Sequence, residues 1–315
     1  MPYNNVMSRD DVSALIPEEL SEAMLSGAID ESIALSKFTR LPVRRNQARL
    51  PVLSALPTAY FVEGDTGLKQ TSEANWANKY LNVEEIAVIL PIPESVLEDT
   101  DTPIWDEVLP LCSQAIGRTA DAAIFFGTDS PANWPADILT AVTAASNTAT
   151  LETNTAAEGG IVGDNSDMLG LIEDGGFAAS EGLASIAIRG RVRQARNSQG
   201  DRFGEVAISK DAVEIDGVTY IHALKGMWPT ASGSPAAFAF DPAEFVCGLR
   251  QDIRFKVLTE AIIQDNSGNT MYNLAQQDMV ALRMTMRLGW QVSNRINYQE
   301  PTEASRYPAG ALLLP

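Results

Sequence analysis

Residues 80–93 are YLNVEEIAVILPIP, and residues 101–127 are DTPIWDEVLPLCSQAIGRTADAAIFFG. The first run is rich in β-branched residues and closes with two prolines, which predicts a strand ending where proline removes the backbone donor. The second run begins with an acidic and a hydroxyl residue before proline, as helices often do. It ends with Gly127, and glycine is the residue type that most readily adopts the left-handed backbone conformation that terminates a helix. The sequence therefore predicts a strand followed by a long helix that ends at about Phe126.

This helix has one apolar face, because its apolar residues recur three and four positions apart. They are Trp105, Val108, Leu109, Cys112, Ile116, Ala120, Ala123 and Ile124. At about 1.5 Å per residue the helix is roughly 36 Å long, about twice the usual length. Pro110 lies inside the helix and predicts a bend there. A single long, bent helix favours a subunit that reaches its neighbours over an enzyme core.

The segment before the strand is polar and irregular. Residues 60–72 are YFVEGDTGLKQTS, in which glycines, charges and hydroxyls leave no periodic apolar face. Such a segment cannot bury itself within its own molecule. We expect an extended loop that becomes ordered when a second copy covers it.

The order of these segments resembles that of the major capsid proteins of tailed bacteriophages, which share the Hong Kong 97 fold with encapsulin shells. The resemblance is based on the extended loop, the run ILPIPESVLED at residues 89–99, and the long helix ending in FFGT at 125–128. It extends from about Leu15 to Asn297. In that family the loop lies over an adjacent subunit, and the helix is the spine of a peripheral domain.

Strands and helices are mixed, which predicts an α+β fold class. The resemblance adds a Hong Kong 97-like layout with an N-terminal arm and helix, an extended loop, a peripheral domain with the long spine helix, and an axial domain. Carried over to this chain, these parts are 1–40 for the arm and helix, 41–85 for the loop, 86–135 with 250–292 for the peripheral domain, and 136–249 with 293–315 for the axial domain.

Other elements follow from local patterns. Apolar spacing predicts a helix from Pro17 to about Phe38, and Asp-Gly predicts the turn of a hairpin over 213–221. Leu183 to Ile188 is predicted to be a buried strand. Met279 to Ile296 alternates over a long stretch and is predicted to be one strand.

Two further regions differ in their apolar content. Residues 139–163 are rich in Ala, Thr, Asn and Gly and poor in large apolar side chains, so we expect a loose surface insertion at a domain boundary. The tail at 307–315 is apolar, and we expect it to dock on its own subunit or on the next one.

The formal charge is −18 in a chain of 315 residues, of which 45% are hydrophobic. This charge argues against direct wrapping or sequence-specific binding of DNA, because phosphate binding requires a basic surface. Two explanations of the acidity remain open: solubility, or an acidic inner wall that repels enclosed DNA. No apolar run is long enough for a membrane span, and the N-terminus has no signal-peptide core.

The chain shows no pattern of catalytic residues. Its one histidine, His222, follows an apolar strand, where a packed or hydrogen-bonded role is more common than catalysis. No nucleophile elbow, phosphate-binding loop or zinc-ligand spacing is present. Cys112 and Cys247 lie in apolar contexts and are expected to be reduced core residues. We therefore predict a protein that is not an enzyme, with no catalytic, cofactor-binding or metal-binding residues.

The resemblance implies three sets of contact residues. In the extended loop they are Glu63, Asp65, Lys69 and Trp76. On the polar positions of the predicted peripheral strand they are Arg283, Arg287 and Arg295, for which a solvated strand face is an equal alternative. In a loop that the resemblance places near the axis of the capsomer they are Asn197, Gly200, Asp201 and Arg202.

Some members of the resembled family join an arm lysine to an asparagine of the neighbouring subunit with the help of a glutamate. The arm lysines here are Lys69 and Lys79. A gap-free match through Arg287 places Asp278 at the asparagine position and Thr285 at the glutamate position. We therefore predict a shell without covalent crosslinks.

The resemblance thus implies a structural major capsid protein that forms pentamers and hexamers of an icosahedral phage head around double-stranded DNA. It implies a portal and, in some heads, a decoration protein. Because the fold-like pattern starts near Leu15, it implies a separate scaffolding protein or none. The virion would be assembled in the host cytoplasm. One alternative is an encapsulin-like compartment holding a cargo enzyme. Another is a cytoplasmic hydrolase or ligand-binding protein with residues 60–76 as a lid.

Overall fold

A computed structural model describes residues 32–62, 69, 71–98, 104–201, 206–209, 212–222, 228–265 and 267–315. The described helices are α1 (Ile33–Lys37), α2 (Glu94–Glu98), α3 (Ile104–Phe126), α4 (Ile138–Ala144), α5 (Ile161–Asp174) and α6 (Ile186–Gln194). The strands are β1 (Thr39–Pro42), β2 (Gln47–Ala55), β3 (Asn75–Asn82), β4 (Glu84–Pro93), β5 (Thr148–Thr150), β6 (Glu181–Ala184), β7 (Val206–Ile208), β8 (Ala212–Ile215), β9 (Val218–His222), β10 (Pro235–Phe240), β11 (Phe245–Leu258), β12 (Ile262–Gln264), β13 (Thr270–Asn273), β14 (Met279–Val292) and β15 (Ala309–Leu313). Short 3-10 turns lie at Ala156–Glu158 and Pro242–Glu244.

The long helix ends where the sequence predicts. Helix α3 contains Pro110 and stops at Phe126, and Gly127 follows with a φ of +68°. Its predicted core-facing residues are buried at Leu109, Cys112, Ile116, Ala120, Ala123 and Ile124. The predicted helix start at 101–103 lies outside the described residues.

A four-stranded sheet packs on this helix in the order β1-β11-β14-β4. Strand β1 is parallel to β11, and the other neighbours are antiparallel. The inner face of β14 contributes a buried row of Met284, Met286, Leu288, Trp290 and Val292. The predicted strand over 279–296 is too long, because β14 ends at Val292, where the Ser293 N–H donates to the Glu244 carbonyl. Arg295 therefore lies beyond the strand.

The predicted strand over 80–93 is two strands, β3 and β4, separated by Val83. Strand β3 pairs with β2, whereas β4 pairs with β14, so the chain changes partner strands at this point. The Val83 N–H donates to the Asn46 carbonyl at 2.8 Å. Gly289 makes the crossing possible, because a methyl group there would lie 2.1 Å from the Asn82 carbonyl oxygen. The prolines of β4 are tolerated since β4 is an edge strand.

The second large sheet has seven strands in the order β5-β15-β10-β6-β9-β8-β7. The predicted hairpin is confirmed as β8 and β9, and its turn residues Asp216 and Gly217 both have positive φ, as a type I′ turn requires. The apolar tail forms β15, which pairs with both β10 and β5. It is thus docked on its own subunit.

Two local predictions are wrong. The predicted strand over 183–188 ends at Ala184, and α6 begins at Ile186 because the Ser185 hydroxyl caps it by accepting the Ala187 N–H. Residues 139–163 are not a loose insertion: they lie in α4, β5, a 3-10 turn and the start of α5. Helix α4 packs on α3, and Val142 and Leu151 are buried.

An aromatic cluster lies where α3, the four-stranded sheet and the seven-stranded sheet meet. Phe38 contacts Phe125, Phe240 and Phe245 with ring centroids 6.1, 5.6 and 4.8 Å apart. Phe38 is also the C-cap of α1, which confirms the predicted end of the N-terminal helix. The part of that prediction before Ser32 lies outside the described residues. None of the described helices is long and apolar enough to span a membrane.

Candidate functional site

The chain presents a two-stranded ribbon, here called the extended arm, which consists of β2, β3 and the described residues between them. Its strands pair antiparallel from Gln47 opposite Asn82 to Ala55 opposite Asn75 and form a sheet of their own. At the root of the arm, Leu81 packs with Val43 and Val83 in a small buried cluster, and Val52 is buried further along β2. Two-stranded ribbons are marginally stable in water unless something packs on them.

Large apolar side chains of the arm are exposed. Phe61 is fully exposed (102%), Trp76 is 67% exposed, and Tyr80 is 49% exposed. Lys69 is exposed as well, whereas Glu63 and Asp65 lie outside the described residues. Exposed aromatic side chains on a two-stranded ribbon are typical of a surface that a partner covers.

The root of the arm is held to the rest of the chain by polar contacts. The Lys79 ammonium lies 2.8 Å from a Glu303 carboxylate oxygen, and its hydrogen bond and charge keep the pKa of Glu303 below its usual value. Gln291 donates a side-chain N–H to the Tyr80 carbonyl at 2.9 Å. Beyond the far end of β2, the Tyr298 hydroxyl donates to the Pro57 carbonyl at 2.8 Å, so the arm also contacts its own chain there. These contacts fix the direction in which the arm leaves the body.

The three predicted arginines do not form one group. Arg283 and Arg287 lie on the outward face of β14, whereas Arg295 follows the strand. Arg287 pairs with Glu85 of β4 at 2.6 Å, and Arg295 pairs with the buried carboxylate of Glu244 at 2.7 Å. Arg283 is exposed. Two of the three arginines are therefore engaged within their own chain.

The sequence analysis missed two cations that the fold brings to the same face. Lys256 of β11 lies directly opposite Arg283, and Arg254 lies opposite Thr285. Both side chains are exposed. The alternating pattern of β11 was visible in the sequence, but it does not reveal which residues of β14 lie beside these cations.

The predicted axial loop is a tight polar turn. The Asn197 side-chain oxygen accepts N–H groups from Gln199 and Asp201 at 3.0 and 2.8 Å, and Gly200 has a φ of +88°. Arg202 lies outside the described residues.

Buried titratable groups in the described part serve packing. Cys112 and Cys247 are free and buried, and burial raises the pKa of Cys247 to about 12. Asp121 of α3 is fully buried and accepts hydrogen bonds from the Ser32 hydroxyl and from the Ile33 and Ala34 N–H groups at 2.7, 2.8 and 3.1 Å. Burial raises the pKa of Asp121 to about 6. Among the described residues, no cluster of side chains suited to a metal ion is present.

A family model described as the phage capsid family matches residues 13–295 of this sequence. The chain belongs to the phage capsid family. The fold class and the Hong Kong 97-type resemblance are thereby confirmed, as is the prediction of a structural capsid protein of a tailed phage that is not an enzyme.

Individual relatives cover nearly the whole chain. A structure from Microbacterium phage Oxtober96 is 30% identical, with a TM-score of 0.78 over 99% of this chain and 100% of that one. One from Mycobacterium phage Adephagia is 32% identical, with a TM-score of 0.77 over 99% of both chains. The major capsid protein of Staphylococcus phage 80alpha is 24% identical over 294 residues, 92% of this chain and 86% of that protein.

Proposed function

We propose that this capsid protein forms the pentamers and hexamers of an icosahedral phage head that encloses double-stranded DNA, and that its shell is held without covalent crosslinks. The observation that supports this proposal most directly is the extended arm. Its aromatic side chains Phe61, Trp76 and Tyr80 are exposed in a single copy, and the buried cluster of its strands lies at their root. An arm of this kind gains a core when a second copy covers it.

Burial of the arm supplies most of the association energy in this proposal. Covering an aromatic side chain removes about 150–250 Å² from water, which corresponds to several kcal/mol at about 25 cal/mol per Å². Phe61 and Trp76 both offer such area. Exposed ion pairs contribute about 1 kcal/mol or less each, so we assign them to register and orientation.

The absence of crosslinks is proposed from the chemistry of the matched positions. A lysine amine that attacks an asparagine amide displaces ammonia, whereas the carboxylate of Asp278 has no comparable leaving group. Thr285, at the position of the glutamate, has no side chain that accepts a proton at neutral pH. Lys79 is also held by Glu303 within its own chain. A denaturing gel of assembled particles should therefore show one band, and a ladder of covalent multimers would refute this part of the proposal.

We extend the proposal to the layout and to the other components of the head. The arm and helix occupy 1–40, the extended loop 41–85, the peripheral domain 86–135 with 250–292, and the axial domain 136–249 with 293–315, whose 197–202 loop faces the capsomer axis. The net charge of −18 suits a shell that encloses DNA without sequence-specific binding. A portal, a separate scaffolding protein and a decoration protein are proposed as partners, with assembly in the host cytoplasm.

Electron microscopy of the purified protein tests this function. We expect rings and closed shells in negative stain, and particles from infected cells that contain DNA and a portal vertex. Shells filled with a cargo protein would favour an encapsulin-like compartment instead. A protein that remains a monomer or dimer at every concentration in size-exclusion chromatography would overturn the proposal.

A further inference from the structure

The segment between β14 and β15 contains a compact loop, residues 294–306, here called the bracket loop. Its two ends are joined by buried side chains: Asn294 donates a side-chain N–H to the Arg306 carbonyl at 3.1 Å, and the Arg306 guanidinium donates to the Asn294 carbonyl at 3.3 Å. Arg306 also donates to the Pro301 carbonyl at 2.6 Å. Compact loops whose ends meet in this way are frequently functional. These bonds give the bracket loop a defined shape of its own.

One side of the bracket loop is attached to the C-terminal end of α5. The Asn297 side chain donates to the Gly175 carbonyl at 2.8 Å, and the Gln299 side chain donates to the Glu173 carbonyl at 2.9 Å. A methyl group on Gly176 would lie 2.7 Å from the Asn297 side chain, so the two segments are in close contact. Helix α5 packs on β15 of the seven-stranded sheet. The loop is therefore fixed to the part of the molecule that is built around this sheet.

The other side of the bracket loop contacts the extended arm at two separate points. Glu303 pairs with Lys79 near the root, and the Tyr298 hydroxyl donates to the Pro57 carbonyl beyond the far end of β2. Lys79 lies opposite Leu50, and the chain from Leu50 to Pro57 spans roughly 20 Å at about 3.3 Å per residue. Two contacts this far apart define a direction for the arm, whereas a single contact would leave it free to swing.

Both contacts are polar and open to water. The Tyr298 residue is 75% exposed, and the Glu303 side chain is 62% exposed. Contacts of this kind add little to the stability of a single copy, because water competes for them. Their effect is on geometry: an arm that already has a direction loses less conformational freedom when a second copy covers it.

We propose that Tyr298 and Glu303 are positioning residues for assembly. Through the bracket loop they hold the arm at one angle to the seven-stranded sheet, and this angle determines the curvature of the shell. The inference rests on the proposed shell function. It assigns shell geometry to residues that act within one chain, and it couples the arm to the end of α5.

Removal of both contacts tests the proposal. Tyr298→Phe combined with Glu303→Gln deletes one hydroxyl and one charge and keeps the size of both side chains. Amide hydrogen exchange in β2 and β3 of the unassembled protein should become about tenfold faster, because one hydrogen bond and one ion pair are lost. Electron microscopy should show about tenfold fewer closed shells of uniform diameter, together with open and irregular ones. Circular dichroism confirms that the variant is folded.

A matched pair of substitutions away from the arm is the control. Tyr272→Phe lies on β13, and Glu152→Gln removes a carboxylate that is 66% exposed and pairs with Arg191. This control should have the exchange rates and the shells of the unaltered protein. If the Tyr298 and Glu303 variant keeps uniform shells or unchanged exchange, or if the control is equally disruptive, the positioning role is wrong while the shell function stands. If the unaltered protein never assembles, the proposed function itself fails.

A charge exchange shows whether the contact at the root lies within one chain. Lys79→Glu and Glu303→Lys should each disturb the shells when they are made separately. Both substitutions in the same chain should restore uniform shells, because the charges are again complementary. A mixture of the two single variants should stay irregular, since neither chain can form the pair by itself. Uniform shells from the mixture would show that the pair forms between copies, and this would overturn the proposal.

Discussion

The aromatic residues of the long helix α3 and its four-stranded sheet are buried, whereas those of the extended arm are exposed. Trp290 and Phe245 are fully buried where β14 and β11 pack near α3, whereas Phe61 and Trp76 are exposed on or beside a two-stranded ribbon. The first region is shaped by burial within one chain. The second has a small buried cluster at its root and one further buried residue, Val52. The difference indicates that stability of the single copy and assembly of the shell are determined by separate sets of residues, which substitutions can distinguish.

The largest expected effect is in the buried region. Trp290→Ala should lower the free energy of unfolding by about 3–5 kcal/mol, because it removes a large side chain from a packed interior. Denaturant unfolding of the unassembled protein measures this change. A loss below about 1 kcal/mol would show that the helix–sheet interface is not the core of the single copy.

A second prediction concerns Asp121, the buried carboxylate of that core. Its pKa is about 6 in the folded protein, against 3.8 as the ordinary value, so the folded state binds a proton more readily than the unfolded state. Stability due to this group is therefore greatest below about pH 4 and is lost as pH rises through about 6. Cys247 lies near it and does not titrate in this window, since burial raises the pKa of Cys247 to about 12.

The measurement compares the unaltered protein with Asp121→Asn between pH 4 and pH 7. The difference in their free energies of unfolding should change by about 2 kcal/mol across this range, with the unaltered protein gaining relative stability on acidification. Both proteins contain the same other acidic residues, so the pH dependence of those residues cancels in the difference. A difference that stays constant with pH would mean that Asp121 is accessible to water and that this part of the core is open.

A third prediction concerns the junction of the two regions. Gly289→Ala should cost about 1–3 kcal/mol and displace the root of the arm, because the new methyl group would lie 2.1 Å from the Asn82 carbonyl oxygen. Gly190→Ala is the matched control, since that glycine lies in α6 with no atom near the added group and should gain up to about 1 kcal/mol. Hydrogen exchange at β3 locates the disturbance. If Gly289→Ala leaves that exchange unchanged, the arm root is not set by this close approach.

The elements predicted correctly from the sequence are those whose cause is local. The end of α3 at Gly127 and the Asp216 turn depend on residues within a few positions, so pattern and turn chemistry suffice. The break at Val83 depends on Gly289, about two hundred positions away, and no local pattern reveals it. Residues 139–163 were misjudged because alanine-rich helices are buried by close packing that only the tertiary structure shows.

The same distinction between local and long-range causes applies to the candidate site. Trp76 was identified from its place beside a loop without an apolar face, and the structure shows it exposed. The position of Lys256 opposite Arg283 was missed, because it depends on strand register. The ion pairs of Arg287 with Glu85 and of Arg295 with Glu244 were likewise not predicted.

The smallest expected effect on stability is in the arm. Trp76→Ala should change the free energy of unfolding of the unassembled protein by no more than about 0.5 kcal/mol, because that side chain is 67% exposed. The same variant should form far fewer shells, since burial of Trp76 against a second copy contributes to association. Ile186→Ala is the control, an exposed apolar residue (55%) on α6 away from the arm, and it should affect neither property. A stability loss above about 1 kcal/mol for Trp76→Ala would show that Trp76 is packed within its own chain. The arm would then be part of the folded body, and its exposed ribbon could not serve as the contact that requires a neighbour.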